Sequence, residues 1–176
     1  MMNDLLSVVV CVLSMRPSRA PPAQREEIAR AFIANVQPHV SLELLLAVGY
    51  VESRWNPTGS ALDRARGMFG IMQLFEPRLV CRNRWGRPNE RRCTEVQTLE
   101  RERILDPAVN VRRGALLLEH RWRQFHVGHE RDWVGAYTVG HVPSPATPTF
   151  VSYAVRVRAA RGLVHAWERQ CSARPL

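Results

Sequence analysis

A chain of 176 residues is long enough for one domain with a single sizeable core and short of what two would need. Its 45% hydrophobic and 23% charged residues exclude wholesale disorder. The formal net charge of +9, with every one of the 25 basic residues an arginine, favours an anionic partner: nucleic acid, an acidic membrane surface or an anionic wall polymer. High-GC coding would give the same arginine bias. The arginines are spread over 54–66, 78–92, 101–123 and 156–169, which describes a basic surface more than a nucleic-acid arm.

Residues 5–15, LLSVVVCVLSM, form an apolar run the length of a secretory h-region. The preceding MMND lacks arginine or lysine, and Pro21 directly follows the small-residue site Ser18-Arg19-Ala20. A span needs about 20 apolar residues, so no transmembrane segment is expected. Two readings stand: an atypical leader, or an apolar N-terminal helix packed on the domain. The boundaries are therefore 1–22 for this segment and its proline-rich linker, 23–170 for the domain, and 171–176 for a tail. In QREEIARAFIANV, residues 24–36, Ile28, Phe32 and Val36 recur every four residues and predict an amphipathic helix. Ser41 is a candidate N-cap for LELLLAVGYVES, with Glu43 in the first turn. That helix has almost no polar face and should be central, ending at Asn56-Pro57. Residues 56–75 suggest irregular structure or a short hairpin, with FGIMQLF capable of turning into a helix. Asp106-Pro107 starts a long helix whose core stripe is Val111, Ala115, Leu118, Trp122 and Phe125. A short helix over 129–140 and a last one marked by Phe150, Tyr153, Val157, Ala160, Val164 and Trp167 complete a mainly α chain.

Of the four cysteines, Cys81 and Cys93 bracket a polar loop, where a disulfide would suit an oxidising compartment; free thiols are the alternative. The six histidines show no ligand spacing, so no metal site and no cofactor are expected. Glu52 is the unusual residue. It sits at the C-terminal end of an apolar helix, where burial and the negative end of the helix dipole should push its pKa up. Such a carboxyl can stay protonated near neutrality and donate a proton, as glycosidic cleavage requires of its acid. The plainer reading is a glutamate emerging into solvent. Asp63 is the nearby alternative carboxylate and reads as a loop residue.

Glu52-Ser53, Trp55-Asn56-Pro57, Gly67-Met68-Phe69-Gly70-Ile71-Met72-Gln73 and Ala136-Tyr137-Thr138-Val139-Gly140, in that order, resemble the lysozyme-like lytic transglycosylases. Asp106-Pro107 with Asn110 and Gly114, and Tyr153-Ala154-Val155 in the last helix, extend the resemblance from about residue 26 to about 168. It implies an α+β lysozyme-like fold, mainly helical, with a glycan-binding cleft and at most a small irregular hairpin. It further implies that Glu52 protonates the bond between N-acetylmuramic acid and N-acetylglucosamine in peptidoglycan. The substrate's N-acetyl group takes the place of a second carboxylate, and Glu52 then acts as base to close a 1,6-anhydro ring. By the same carry-over Ser53 bonds near the acid or the substrate, Gln73 lines the sugar cleft, and Met72 supports that cleft by backbone contact and packing. Tyr137 holds Glu52 through its hydroxyl. Each has a bland alternative as a helix-end, core or loop residue, and Trp55 reads as packing or as a sugar platform.

Thr138 and Val139 stand where the family usually has Asn and Ala, which puts sugar binding there in doubt. The LDRAR insertion before the glycine motif would reshape one cleft wall. The implied setting is the periplasm or secreted cell envelope, with glycan strands as partner and a monomer as the working unit. Wall turnover, a secretion machine or a phage assembly would all fit. The alternatives are a muramidase hydrolysing the same bond and a non-catalytic lysozyme-like module that binds glycan or scaffolds an envelope assembly. Nucleic-acid binding has only the net charge in its favour.

Overall fold

The computed structural model describes residues 2–59, 68–75, 103–125, 130–139 and 148–173. In chain order these form α1 (Met2–Val12), a 3-10 turn (Pro22–Gln24), α2 (Arg25–Ala34), α3 (Leu42–Ser53), β1 (Met68–Phe69), β2 (Leu74–Phe75), α4 (Pro107–Phe125), α5 (Glu130–Val139) and α6 (Pro148–Ser172). The domain is mainly α, as expected. The expected Cys81–Cys93 bridge, Asp63 and the LDRAR insertion lie outside the described residues.

Helix α3 is the centre of the bundle because nothing on it but its ends needs water. Leu44 is 3% exposed, and Leu45, Leu46, Ala47 and Val48 are fully buried. A buried leucine is worth about 1.5–3 kcal/mol, so this helix alone anchors much of the core. Ser41 caps it as predicted, its Oγ accepting the Leu44 N–H at 3.2 Å. α3 packs on α6 and α2, α6 also touches α5 and α1, and α4 bridges α2 and α5. Gly49 lets α2 and α3 approach closely, since a Cβ there would lie 2.8 Å from the Phe32 ring. On α4, Val111, Ala115 and Leu118 are fully buried, while Trp122 and Phe125 pack partly buried at the core edge. Val36, expected on the stripe of α2, lies outside it: the helix ends at Ala34, and Val36 is exposed.

FGIMQLF is a hairpin, not a helix. Met68 pairs with Phe75 and Phe69 with Leu74 in an antiparallel register. The turn between them holds Gly70 at φ 76° and Gln73 at φ 48°, backbone states that a helix cannot contain.

Helix α1 packs against α2 and α6, with Val9, Val12 and Leu13 fully buried in the same core as α3. A disulfide joins Cys11 to Cys171 in the last turns of α6, across 160 residues of sequence. The tail assigned to 171–176 thus begins inside α6, on a residue bonded to the N-terminal helix. No described helix is long and apolar enough to cross a membrane.

At the far side of α4, buried Glu119 receives the His39 N–H at 3.2 Å, the His39 ring Nδ1 at 2.9 Å and Arg123 Nε at 3.2 Å. The His39 ring stacks on Trp122. Burial pushes the Glu119 carboxyl up, but the bonds from His39 and Arg123 outweigh it and hold the group below its usual range.

Two stability predictions follow from these links. Cys11→Ser, or reduction of the wild type, should cost about 2–5 kcal/mol of unfolding free energy, the usual loss when a disulfide closing a long loop is removed. Melting curves with and without reductant read it, and hydrogen exchange should show α1 losing protection first. Because Glu119 is depressed when folded, its stabilisation is complete above the ordinary glutamate range and drains away as pH falls through and below about 4. Glu119→Gln should flatten the acid limb of a stability-versus-pH profile; an unchanged slope would show that Glu119 contributes nothing there.

Candidate active site

The site begins where α3 stops. Ser53 is its last residue, and Arg54 (φ 55°) and Trp55 (φ 63°) then turn left-handed. The Trp55 N–H reaches back to the Gly49 carbonyl at 3.3 Å and the Arg54 N–H to Tyr50 at 2.8 Å, closing the helix before Asn56-Pro57 is reached. Trp55 is fully buried, with its indole N–H on the Leu46 carbonyl at 2.9 Å, so it is a packing residue and not a sugar platform. Glu52, in the final turn, is left partly exposed. It opens on a cavity of about 440 Å³. Of the described residues lining that cavity, Glu52 is the sole carboxylate.

A tyrosine does hold Glu52, but it is Tyr153 of α6 and not the expected Tyr137. The Tyr153 hydroxyl donates to Glu52 Oε1 at 2.5 Å. Tyr137 of α5 instead gives its hydroxyl to the Met72 carbonyl at 2.8 Å. The two rings lie nearly parallel, 6.4 Å apart, so Tyr137 backs the tyrosine that carries the acid. The cause is placement. α5 and α6 pack side by side, and the α6 ring stands between the α5 ring and the end of α3. Burial first, and the Glu52 charge second, push both phenols well above their ordinary range, so both remain protonated donors.

Met72 and Gln73 lie in the hairpin turn, which three helices pin. Ser53 Oγ donates to the Ile71 carbonyl at 2.8 Å and more weakly to Gly49 at 3.3 Å, so its bonds go to the turn and to its own helix. From α4, buried Asn110 accepts the Met72 N–H at 2.7 Å and donates to the Phe69 and Ile104 carbonyls at 3.1 and 3.0 Å. Gly70 must be glycine: its φ is 76°, and a Cβ would lie 2.1 Å from Asn110 Nδ2. Met72 itself is fully buried against Gly114, where a Cβ would come within 2.7 Å of its Cγ. Met72 therefore contributes backbone and packing. Gln73 Nε2 donates to the Gly70 carbonyl at 2.7 Å, while its Oε1 is buried with no hydrogen-bond partner. An unsatisfied buried amide oxygen costs about 1–3 kcal/mol, an expense more common at functional sites than elsewhere.

The structure thus gathers Glu52, Ser53, Met72, Gln73 and Tyr137 around one helix end. The residue missed as a site residue is Tyr153, whose signal was the Tyr-Ala-Val of the last helix. Thr138 and Val139 fall in the last turn of α5, and their side chains lie outside those described. No group of metal-ligating side chains occurs among the described residues.

Residues 30–144 match the family model of the transglycosylase SLT domain, more than half of the chain. No curated protein and no solved structure matches the chain. The match covers the end of α3, the hairpin turn, α4 and α5, the elements that carry Glu52, Gln73, Asn110 and Tyr137. The chain belongs to the transglycosylase SLT domain family, whose members act on peptidoglycan.

Proposed function

We propose that the chain is a lytic transglycosylase that cleaves the bond between N-acetylmuramic acid and N-acetylglucosamine in peptidoglycan and leaves 1,6-anhydro ends. The observation that carries this is Glu52, the one carboxyl among the described residues lining the cavity, bonded by a phenol that keeps its proton. Glu52 gives its proton to the glycosidic oxygen as the C1–O bond breaks, and the acetamido oxygen of the muramoyl residue bonds to C1. The Glu52 carboxylate then takes the proton of the C6 hydroxyl. O6 attacks C1, the acetamido oxygen leaves, and Glu52 is restored without water. One carboxyl performs both transfers, so neither a second carboxylate nor a metal or cofactor is needed.

Tyr153 acts here as a positioning residue that fixes the carboxyl and stabilises its anion between the two transfers. Ser53, Asn110 and Tyr137 hold the turn that carries Gln73, whose buried side chain backs the wall of the sugar cleft. The Cys11–Cys171 disulfide supports an oxidising, extracytoplasmic compartment such as the periplasm or the cell surface. Wall turnover, a secretion assembly and a phage would each draw on the same chemistry in a single chain.

Digestion of purified peptidoglycan, with mass analysis of the products, tests the proposal. Wild type should release anhydro-muropeptides, and Glu52→Gln should lower the rate by about 10²–10⁴, the contribution of a positioned acid-base group. Reducing ends in place of anhydro ends would make the chain a muramidase. Bound but uncleaved glycan would make it a binding module.

Tyr153→Phe separates positioning from folding. It should lower kcat by about tenfold, since a charge-assisted bond is worth about 1.5–3 kcal/mol, with KM little changed. Tyr137→Phe should instead act on stability, by about 1–3 kcal/mol, because it orphans the buried Met72 carbonyl. If the two variants behave alike in both measurements, the division of labour between the tyrosines is wrong.

A further inference from the structure

The cavity beside Glu52 has a second face that the proposed cleavage chemistry does not use. Three arginines line it, each from a different segment: Arg19 from the stretch after α1, Arg54 from the left-handed turn after α3, and Arg156 from α6. Among the described residues, no ion pair ties any of these guanidiniums to a carboxylate. All three side chains are exposed, yet their backbones are fixed. The Arg19 N–H bonds the Arg54 carbonyl at 2.9 Å, so these two residues are held together directly. Arg156 lies over the Tyr153 ring, 5.5 Å from its centroid, which places it one ring away from the acid. On the α6 side the wall is otherwise apolar, formed by Ala159, Ala160 and Leu163, while Ser53 and Asn56 add polar groups on the α3 side. The volume, about 440 Å³, is in the range of small-molecule sites, roughly 300–1,000 Å³.

Arg19 and Arg156 both fall outside residues 30–144, so this wall is built by parts of the chain beyond the family match. The Arg19 wall depends on α1. Buried Val12 and Leu13, the Cys11–Cys171 bond, the Ser18 N–H on the Met15 carbonyl and Arg25 Nε on the Ala20 carbonyl fix the chain on either side of it. Guanidinium groups select carboxylate and phosphate groups, through paired N–H donors. Beside an alanine and leucine surface, the complementary ligand carries carboxylates and short alkyl groups together.

The geometry points to an anion subsite, formed by Arg19, Arg54 and Arg156, that takes a carboxylate carried by the muramoyl residue being cleaved. It rests on the peptidoglycan reading and adds a selectivity to it. On a glycan strand such carboxylates have two sources: the lactyl ether of the muramoyl sugar once its peptide is removed, and the acidic peptide attached there, whose alanine methyls would meet Ala159 and Leu163. Bound here, the substituent would hold the muramoyl sugar at Glu52 and so govern which strands are cut.

Steady-state cleavage with peptide-bearing strands and with amidase-stripped strands tests it, and binding to the Glu52→Gln protein adds an N-acetylglucosamine oligomer that has no carboxylate. Arg54→Gln and Arg156→Gln should each raise KM about tenfold on the carboxylate-bearing substrate, the loss of one charge-assisted contact. Arg19→Gln should do the same, and melting curves unchanged from wild type in all three variants exclude a folding defect. Dependence on the arginines with peptide-bearing strands alone assigns the subsite to the peptide. The same dependence with stripped strands assigns it to the lactyl carboxylate. Equal KM for wild type and all three variants on both strands, or the same loss of binding to the uncharged oligomer, overturns the subsite while leaving the cleavage reading intact. A wild type that neither binds nor cleaves either strand overturns the peptidoglycan reading itself.

Discussion

Two successive left-handed residues, Arg54 and Trp55, end α3 one turn before the sequence requires it, and neither is glycine. Each costs about 1–2 kcal/mol of backbone strain, so something must outweigh them. The burial of Trp55 does, with its indole bonded to Leu46 inside the core and its backbone N–H closing the helix on Gly49. The consequence is local: α3 closes directly after Ser53, so Glu52 stands in the last helical turn, partly exposed, with Arg54 exposed beyond it.

The hairpin turn answers that helix end from the opposite side. Its own strands are two residues each and could not hold it. The restraint comes from side chains of three helices, Ser53, Asn110 and Tyr137, each closing on a backbone group of Phe69 to Met72. This is why Met72 and Gln73 can stand at a site without being part of a regular element. It also explains why Gln73 tolerates a left-handed φ of 48° and an unpaired oxygen: the turn around it is over-determined.

What could be read from the sequence was whatever local chemistry decides. The Ser41 cap, the apolar run of α3 and the Asp106-Pro107 start each act within one helical turn, and Asp106 Oδ1 does accept the Val109 N–H at 3.0 Å. The order of motifs was enough to point to Glu52 and to its neighbours in space. A short hairpin was one reading of residues 56–75, but its place in FGIMQLF was not legible, because the turn takes its shape from an asparagine 38 residues further on. Nor was the Cys11–Cys171 bond, whose partners are 160 residues apart, one in a segment read as either a leader or a packed apolar helix and the other in the tail. The two tyrosines were the subtlest case. Both sit on buried helix faces at the right distance in sequence, and only the packing of α5 against α6 decides which hydroxyl meets the acid and which meets Met72.

That exchange bears on how one carboxyl can serve as acid and then as base. A group that changes protonation twice in a turnover needs a partner that changes in neither step. Tyr153 is such a partner, since burial and the charge of Glu52 itself keep its own proton in place. It donates to neutral Glu52 weakly and to ionised Glu52 strongly, so the bond tightens just when the carboxylate has lost its proton. Tyr137 reinforces this by holding the Met72 turn, with its ring nearly parallel to that of Tyr153. On the proposed mechanism, then, the second catalytic group belongs to the sugar, and the protein's part beyond Glu52 is a donor that never lets go.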